Sequence, residues 1–263
     1  MTAPTPQKSL GQHWLYDQAS LEAMCLAAAV KADDMVLEIG PGLGNLTELL
    51  VGRAGQVVAV EFDAQLAAQL PQKVPAANLR VVAADILDFD FTSLPPGYKI
   101  VANIPYYLTS HLIRVISETP NRPARAALLI QKEVAQRVAA PPGSMSLLSV
   151  TAQFYWEVSL GREVPAELFT PPPKVDSQIL ILNRRRQPLF PDVDAAAAKA
   201  FFRLVKAGYS QRRKTLLNSL SAGLHLDRAA VKTICESVFV DPQRRAQTLS
   251  LAEWHNLYLS FTT

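Results

Sequence analysis

Over the first two thirds of the chain, short apolar runs alternate with longer stretches of helical spacing. Met35–Ile39, Gln56–Val60, Leu79–Ala83, Lys99–Ala102 and Arg125–Ile130 are uninterrupted enough to read as buried strands. Between and around them, apolar residues recur every three or four positions. Asp17 to Val30 does so with Leu21, Met24, Cys25 and Ala28 on one face, and Leu108 to Ile116 with Leu108, Leu112, Val115 and Ile116. Asn45–Val51, Lys132–Val138 and Met145–Phe154 are further helical stretches. A strand near Trp156–Leu160, a stiff proline-rich connection over 165–174 and an alternating strand over Val175–Leu182 follow. Arg184-Arg185-Arg186-Gln187-Pro188 marks a boundary, and from Val193 onward the pattern is helical. The expectation is an α/β domain over 1–186 followed by a small all-helical domain over 187–263.

The strand ends carry the chemistry. Met35–Ile39 runs into Gly40-Pro41-Gly42-Leu43-Gly44, where Gly40 and Gly42 let backbone approach a ligand and the next helix offers N–H groups. The second strand ends in Glu61, 21 residues after Gly40, where an acid would grip ribose hydroxyls. The dinucleotide fingerprint is absent, because its third glycine would stand at Asn45. Asp85, after the third strand, is placed to accept from an adenine amino group, with Ile86 packing on the ring. The fourth strand delivers Asn103-Ile104-Pro105-Tyr106. That tetrapeptide suits methyl transfer to the exocyclic amine of a base, a poor nucleophile because its lone pair is delocalised into the ring. The Asn103 amide oxygen and the Ile104 carbonyl can accept both N–H bonds. Pro105 fixes the backbone, and Tyr106 offers a stacking face. Each feature alone also fits a plain structural role: a βαβ turn, a capping aspartate, an Asn-capped turn with a half-buried tyrosine. Their convergence on one sheet edge is the stronger signal. Leu10-Gly11-Gln12-His13-Trp14-Leu15 is too short for an element of its own and reads as a flap over a ligand.

Composition narrows the class. The chain has 263 residues, 49% hydrophobic and 19% charged, enough for one large domain and a smaller one. It contains no apolar stretch of membrane-spanning length. Met1–Leu10 has no secretory apolar region. Cys25 and Cys235 are far apart and form no disulfide framework, which points to a reduced, cytoplasmic setting. The four histidines lack metal-binding spacing, so no metal is expected. The charge is uneven. Residues 1–183 carry 13 Lys and Arg against 17 Asp and Glu, a net of −4, and residues 184–263 carry 13 against 6, a net of +7. Arg203, Lys206, Arg212, Arg213 and Lys214 cluster in that basic part. Such a face suggests docking to a polyanion, although a solvated helical face has the same composition.

Six motifs, LGQHWL, VLEIGPGLGNLT, NIPYYLTS, QKEVAQR, ELFTPPPKVDS and YSQRRKTLLNSL, make nearly the whole chain resemble the KsgA/RsmA family of ribosomal small-subunit RNA adenine dimethyltransferases. The resemblance implies a Rossmann-like seven-stranded methyltransferase sheet with a small all-helical C-terminal domain. It also implies S-adenosyl-L-methionine as methyl donor and two adjacent adenosines near the 3′ end of small-subunit RNA as target. The enzyme would act as a monomer on an assembling small subunit. Carried across, His13 and Leu15 would touch the cofactor from the flap. Gly40 and Gly42 would lie beside its methionine part, Glu61 at the ribose and Asp85 at the adenine. Asn103, Ile104, Pro105 and Tyr106 would form the catalytic segment, and Arg203, Lys206, Arg212, Arg213 and Lys214 would hold RNA. His13 stands where many relatives have Asn, and Ile104 where Leu is commoner. Two other readings share parts of this pattern: a large-subunit RNA methyltransferase of the antibiotic-resistance type, which shares NIPY, and a non-catalytic assembly or transcription factor. The ELFTPPPKVDS and QRRKTLLNSL segments argue against the first, and the intact strand-end residues against the second.

Overall fold

In a computed structural model, residues 12–262 are described. The expectations for Met1–Leu10, and Leu10 and Gly11 of the flap motif, lie outside them. In chain order the elements are β1 (Trp14–Leu15), α1 (Gln18–Ala27), β2 (Met35–Ile39), α2 (Asn45–Val51), β3 (Gln56–Glu61), α3 (Ala64–Lys73), β4 (Leu79–Ala83) and β5 (Lys99–Asn103). Then come α4 (Thr109–Glu118), β6 (Arg125–Gln131), α5 (Lys132–Val138), α6 (Leu147–Tyr155), β7 (Trp156–Val164), β8 (Phe169–Thr170) and β9 (Ser177–Arg184). The chain finishes with α7 (Ala195–Tyr209), α8 (Leu216–Leu224), α9 (Arg228–Ser237) and α10 (Leu251–Thr262).

Seven strands form one sheet in the order β4-β3-β2-β5-β6-β9-β7. The first five pair in parallel, and β9 runs antiparallel to β6. The chain leaves β2 toward β3 and β4, then returns on the other side of β2 as β5 and β6. The crevice beyond the carboxyl ends of β2 and β5 is therefore the topological switch point, where open sheets bind ligands. Burial explains the unbroken apolar runs: Val36, Leu37, Ile100, Val101 and every residue from Ala126 to Ile130 are sealed from solvent.

Asp17 caps α1 by accepting from the Ser20 N–H at 2.8 Å, and Asp63 caps α3 through the Gln65 and Leu66 N–H groups. The pattern did not anticipate α3. Its buried face is Leu66, Ala67 and Leu70, and Pro71 falls in its last turn. Strand β7 also runs on to Val164 rather than ending near Leu160. The flap does form an element: β1 pairs antiparallel with β8, Trp14 opposite Thr170 and Leu15 opposite Phe169.

Two compact units emerge. One is Met1–Gln136 with Glu157–Arg184, and the other is Arg137–Trp156 with Arg185–Thr263. The division differs from the expected boundary at 186 chiefly because the α6 stretch belongs with the helical unit. The reason is aromatic. The Phe154 ring lies 5.0 Å from Phe201, 5.1 Å from Phe202 and 6.0 Å from Phe190, inside the core that Trp254, Leu220 and Val231 complete. Arg185 donates to the Gln153 carbonyl at 3.1 Å, tying the start of the later segment to α6.

Candidate active site

A cavity of about 430 Å³ opens at the switch point, within the range of small-molecule sites. His13, Leu15, Gly40, Gly42, Glu61, Asp85, Asn103, Ile104, Pro105 and Tyr106 all line it. Every catalytic or cofactor-binding residue expected from sequence is thus brought to one place.

The glycine turn makes the floor. Gly40 sits at φ +66°, and a Cβ there would meet no protein atom within 4 Å, so the position is open toward the cavity. Gly42, at φ +55°, is under Trp14, whose ring would lie 2.6 Å from an added Cβ. Glu61, at the end of β3, accepts from the Gly42 N–H at 3.0 Å and from the Asp63 N–H at 2.9 Å. Its carboxylate is therefore fixed in place. Burial pushes its pKa above the ordinary carboxylate range, against the opposing pull of those two backbone donors. Asp85 uses Oδ1 to accept from the Leu87 N–H at 2.9 Å, which turns the chain at the end of β4. The capping role and a place in the cavity coexist in that residue.

On the β5 side, Asn103 Nδ2 donates to the His13 carbonyl at 3.4 Å. With its NH₂ turned to the flap, its Oδ1 acceptor is the end left for a ligand. Pro105 holds φ at −56°, and Tyr106 follows in a short 3₁₀ turn. The Tyr106 hydroxyl bonds Ser177 Oγ at 2.8 Å, which pins the ring. The His13 ring stacks over Tyr106 with centroids 5.9 Å apart, and His13 Nδ1–H donates to the Pro171 carbonyl at 2.6 Å. Asn45 Nδ2 donates to the Leu15 carbonyl at 2.8 Å. The flap is thus stitched to the glycine-turn helix, to the Asn103–Tyr106 segment and to the proline-rich loop.

Lining residues that the sequence reading gave no role of their own include Trp14, Glu38 and Phe169. Trp14 and Phe169 belong to the two-stranded β1–β8 pair, and nothing in the local pattern announces that pairing. Glu38 had a signal, an acid inside the otherwise apolar Met35–Ile39. It is 1% exposed, and neither carboxyl oxygen reaches hydrogen-bond geometry with a protein group among the described residues. Burial pushes its pKa up to about 8, and the nearby Thr47 hydroxyl, short of hydrogen-bond geometry, pulls weakly the other way. Burial thus favours the protonated form of this acid.

In the helical unit, Arg203 and Lys206 lie on the exposed side of α7. Arg212, Arg213 and Lys214 lie in the exposed loop between α7 and α8. None of the five makes a side-chain ion pair among the described residues. Arg244, by contrast, is clamped by Glu253 and the Thr248 carbonyl.

Residues 5–262 match the family model described as ribosomal RNA adenine dimethylase. A curated relative from Dehalococcoides mccartyi, named ribosomal RNA small subunit methyltransferase A, is 42% identical over 97% of this chain and 88% of its own. One of the same name from Moorella thermoacetica is 38% identical over 96% and 91%. Among solved structures, a dimethyladenosine transferase from Plasmodium falciparum superposes with a TM-score of 0.81 at 25% identity, covering 95% of this chain and 98% of that one. The 23S rRNA methyltransferase ErmE gives 0.76 at 29% identity, covering 95% and 100%.

Proposed function

The chain belongs to the ribosomal RNA adenine dimethylase family, and from that premise we propose that it dimethylates N6 of two adjacent adenosines near the 3′ end of small-subunit ribosomal RNA. The observation that carries the reading is the Asn103 amide. Its NH₂ is turned to the His13 carbonyl, so its oxygen remains to accept from a base amine.

The cavity fits S-adenosyl-L-methionine. Gly40 leaves room at the backbone, Glu61 presents a fixed carboxylate for ribose hydroxyls, and Asp85 keeps one oxygen beyond its turn bond for an adenine amine. The cofactor supplies an electrophilic methyl group. The protein supplies the rest. Tyr106, pinned by Ser177, stacks on an adenosine drawn from its helix. Asn103 Oδ1 and the Ile104 carbonyl accept the two N6–H bonds, pulling the nitrogen toward the pyramidal form whose lone pair can attack. As the N–CH₃ bond forms, the methyl's bond to sulfur would break and leave a neutral thioether. The N6 proton becomes acidic once that nitrogen carries the positive charge, so no general base need carry the step. The flap, tied to Asn45 and Pro171, keeps water from the reacting atoms.

The helical unit serves as the docking module, with Arg203, Lys206, Arg212, Arg213 and Lys214 neutralising phosphates of an assembling small subunit. The enzyme acts as a cytoplasmic monomer. Among the described residues, no helix is long and apolar enough to cross a membrane. Small-subunit relatives at about 40% identity favour that target over the large-subunit target that ErmE's name carries. The test is incubation with labelled S-adenosylmethionine and undermethylated small subunits or large subunits, followed by mapping of the modified base. Label on adjacent adenines near the small-subunit 3′ end is expected, and label confined to large-subunit RNA would overturn the assignment.

A further inference from the structure

At the exit of α9, Phe239 exposes 96% of its side chain, the most of any large hydrophobic residue among those described. Its backbone stands at φ +58°, in the left-handed region that bulky residues avoid. The helix ending explains the conformation. The Phe239 N–H donates to the Glu236 carbonyl at 3.1 Å and the Val240 N–H to the Cys235 carbonyl at 2.9 Å. This paired ending requires a left-handed residue at 239, and glycine is the residue that meets the requirement without strain. Val240 then turns inward and is 1% exposed. The fold thus asks for a residue without a side chain at 239 and buries nothing of the phenyl ring. A strained backbone carrying an unburied aromatic points to a role outside the fold.

Its surroundings indicate the partner. The segment after Phe239 runs beside the first turn of α8, with the Leu217 N–H on the Pro242 carbonyl at 3.0 Å and the Leu216 N–H on the Arg244 carbonyl at 2.8 Å. That turn directly follows the exposed loop bearing Arg212, Arg213 and Lys214, and Arg245 is exposed on the other arm. Of the nearby carboxylates, Glu236 faces Lys232 at 3.7 Å, and Asp241 caps the following turn by accepting from the Gln243 N–H at 2.8 Å while keeping its charge. An open aromatic ring on the same helical unit as exposed cations is a combination that binds single-stranded nucleic acid, the cations on phosphate and the ring on a base.

We propose that Phe239 stacks on an unpaired base of the ribosomal RNA at the edge of the basic docking surface. The proposal rests on the helical unit being the RNA-docking module. The test measures affinity of the full chain for undermethylated small subunits, at two salt concentrations, together with melting temperature. Phe239→Gly and Phe239→Leu should each weaken binding about fivefold or more, the lower range for losing one stacked base. Phe239→Tyr should bind like the parent, because the π-face survives. The salt slope should not change in any of them, since every cation that neutralises a phosphate is still present. Phe239→Gly should melt no earlier than the parent, because it removes strain and sacrifices no packing. Parent-like affinity in Phe239→Gly overturns the proposal, and so does parent-like affinity in Phe239→Leu, which would mean a generic apolar contact with protein. Arg212→Ala with Arg213→Ala serves as the independent control. If that double variant loses affinity and salt slope while Phe239→Gly does not, the stacking inference falls and the docking reading stands. If neither changes binding, the docking reading falls as well.

Discussion

The cavity of the α/β unit and the basic loops of the helical unit handle charge in opposite ways. In the cavity, polar atoms are few and already oriented. Glu61 is held by two backbone donors, Asn103 by the His13 carbonyl and Tyr106 by Ser177. In the helical unit, Arg203, Lys206, Arg212, Arg213 and Lys214 are exposed, and none makes an ion pair among the described residues. A buried, oriented group loses little further entropy on binding, and its hydrogen bonds are strong because water is excluded. An exposed cation gains chiefly by releasing counterions from RNA, and that gain is diluted by salt. Removing single groups should therefore be costly and salt-insensitive in the cavity, and modest and salt-dependent on the loops.

The sharpest contrast lies at Asn103. Asn103→Ala should lower single-turnover methylation by about 10²–10³-fold, the scale seen when one pre-oriented polar group is removed from a reacting centre. Binding of small subunits should barely change, because the amide engages the base only inside the pocket. Equal losses in turnover and RNA affinity would make Asn103 a general binding residue instead. Glu61→Ala comes next. A charge-assisted bond to a ribose hydroxyl is worth roughly 1.5–3 kcal/mol, so calorimetry should show cofactor affinity about ten- to a hundredfold weaker at any salt concentration.

Tyr106 divides ring from hydroxyl. Tyr106→Ala should cost on the order of 1–3 kcal/mol through the missing stacking face. Tyr106→Phe and Ser177→Ala each break only the 2.8 Å hydroxyl bond, so each should cost about 0.5–1.5 kcal/mol, and the double variant little more than either alone. If Tyr106→Phe were as damaged as Tyr106→Ala, the hydroxyl would be part of the chemistry.

Glu38 reports on burial at the cavity without any ligand. Its folded pKa of about 8 lies above its unfolded value of about 4.3. Between those values the folded chain keeps a proton that the unfolded chain has released, so folding stability should fall as pH rises through that window. Glu38→Gln keeps a neutral group of the same shape and should flatten that part of the curve of melting temperature against pH. An unchanged slope would mean that Glu38 ionises freely.

What the sequence disclosed follows the same division. Strand ends with glycine, acid or amide are local features, so Gly40, Glu61, Asp85 and Asn103 could be read one by one, and the parallel sheet then carried them to one edge. The strand that the flap pairs with stayed hidden, because Trp14 and Phe169 take their positions from pairing between residues about 155 apart in the chain. Assignment of α6 to the helical unit was hidden likewise, since it depends on Phe154 meeting Phe201 and Phe202. The composition showed a basic C-terminal part. It did not show that Arg244 is spent on Glu253 while Arg212 and Arg213 make no ion pair among the described residues.

Arg212 and Arg213 should give the smallest effect per residue and the clearest test of the comparison. Each exposed pairing with phosphate is worth about 1 kcal/mol or less at moderate salt, so Arg212→Ala with Arg213→Ala should weaken small-subunit binding modestly. The logarithmic salt slope of that binding should drop by about 1 for each phosphate left without its arginine. Cofactor affinity should stay level, since the groups proposed to hold the cofactor are Glu61, Asp85 and backbone rather than these loops. The rival account makes the two arginines structural, closing the turn between α7 and α8. The 210–215 turn, however, is held by backbone bonds, Lys214 N–H to the Gln211 carbonyl at 3.0 Å and Leu216 N–H to the Arg244 carbonyl at 2.8 Å. Alanine at 212 and 213 leaves those bonds intact, so the melting temperature should hold. A variant that melted earlier but kept its salt slope would move both residues from RNA docking to the fold. A lowered slope at constant melting temperature would tie the basic loops to phosphate.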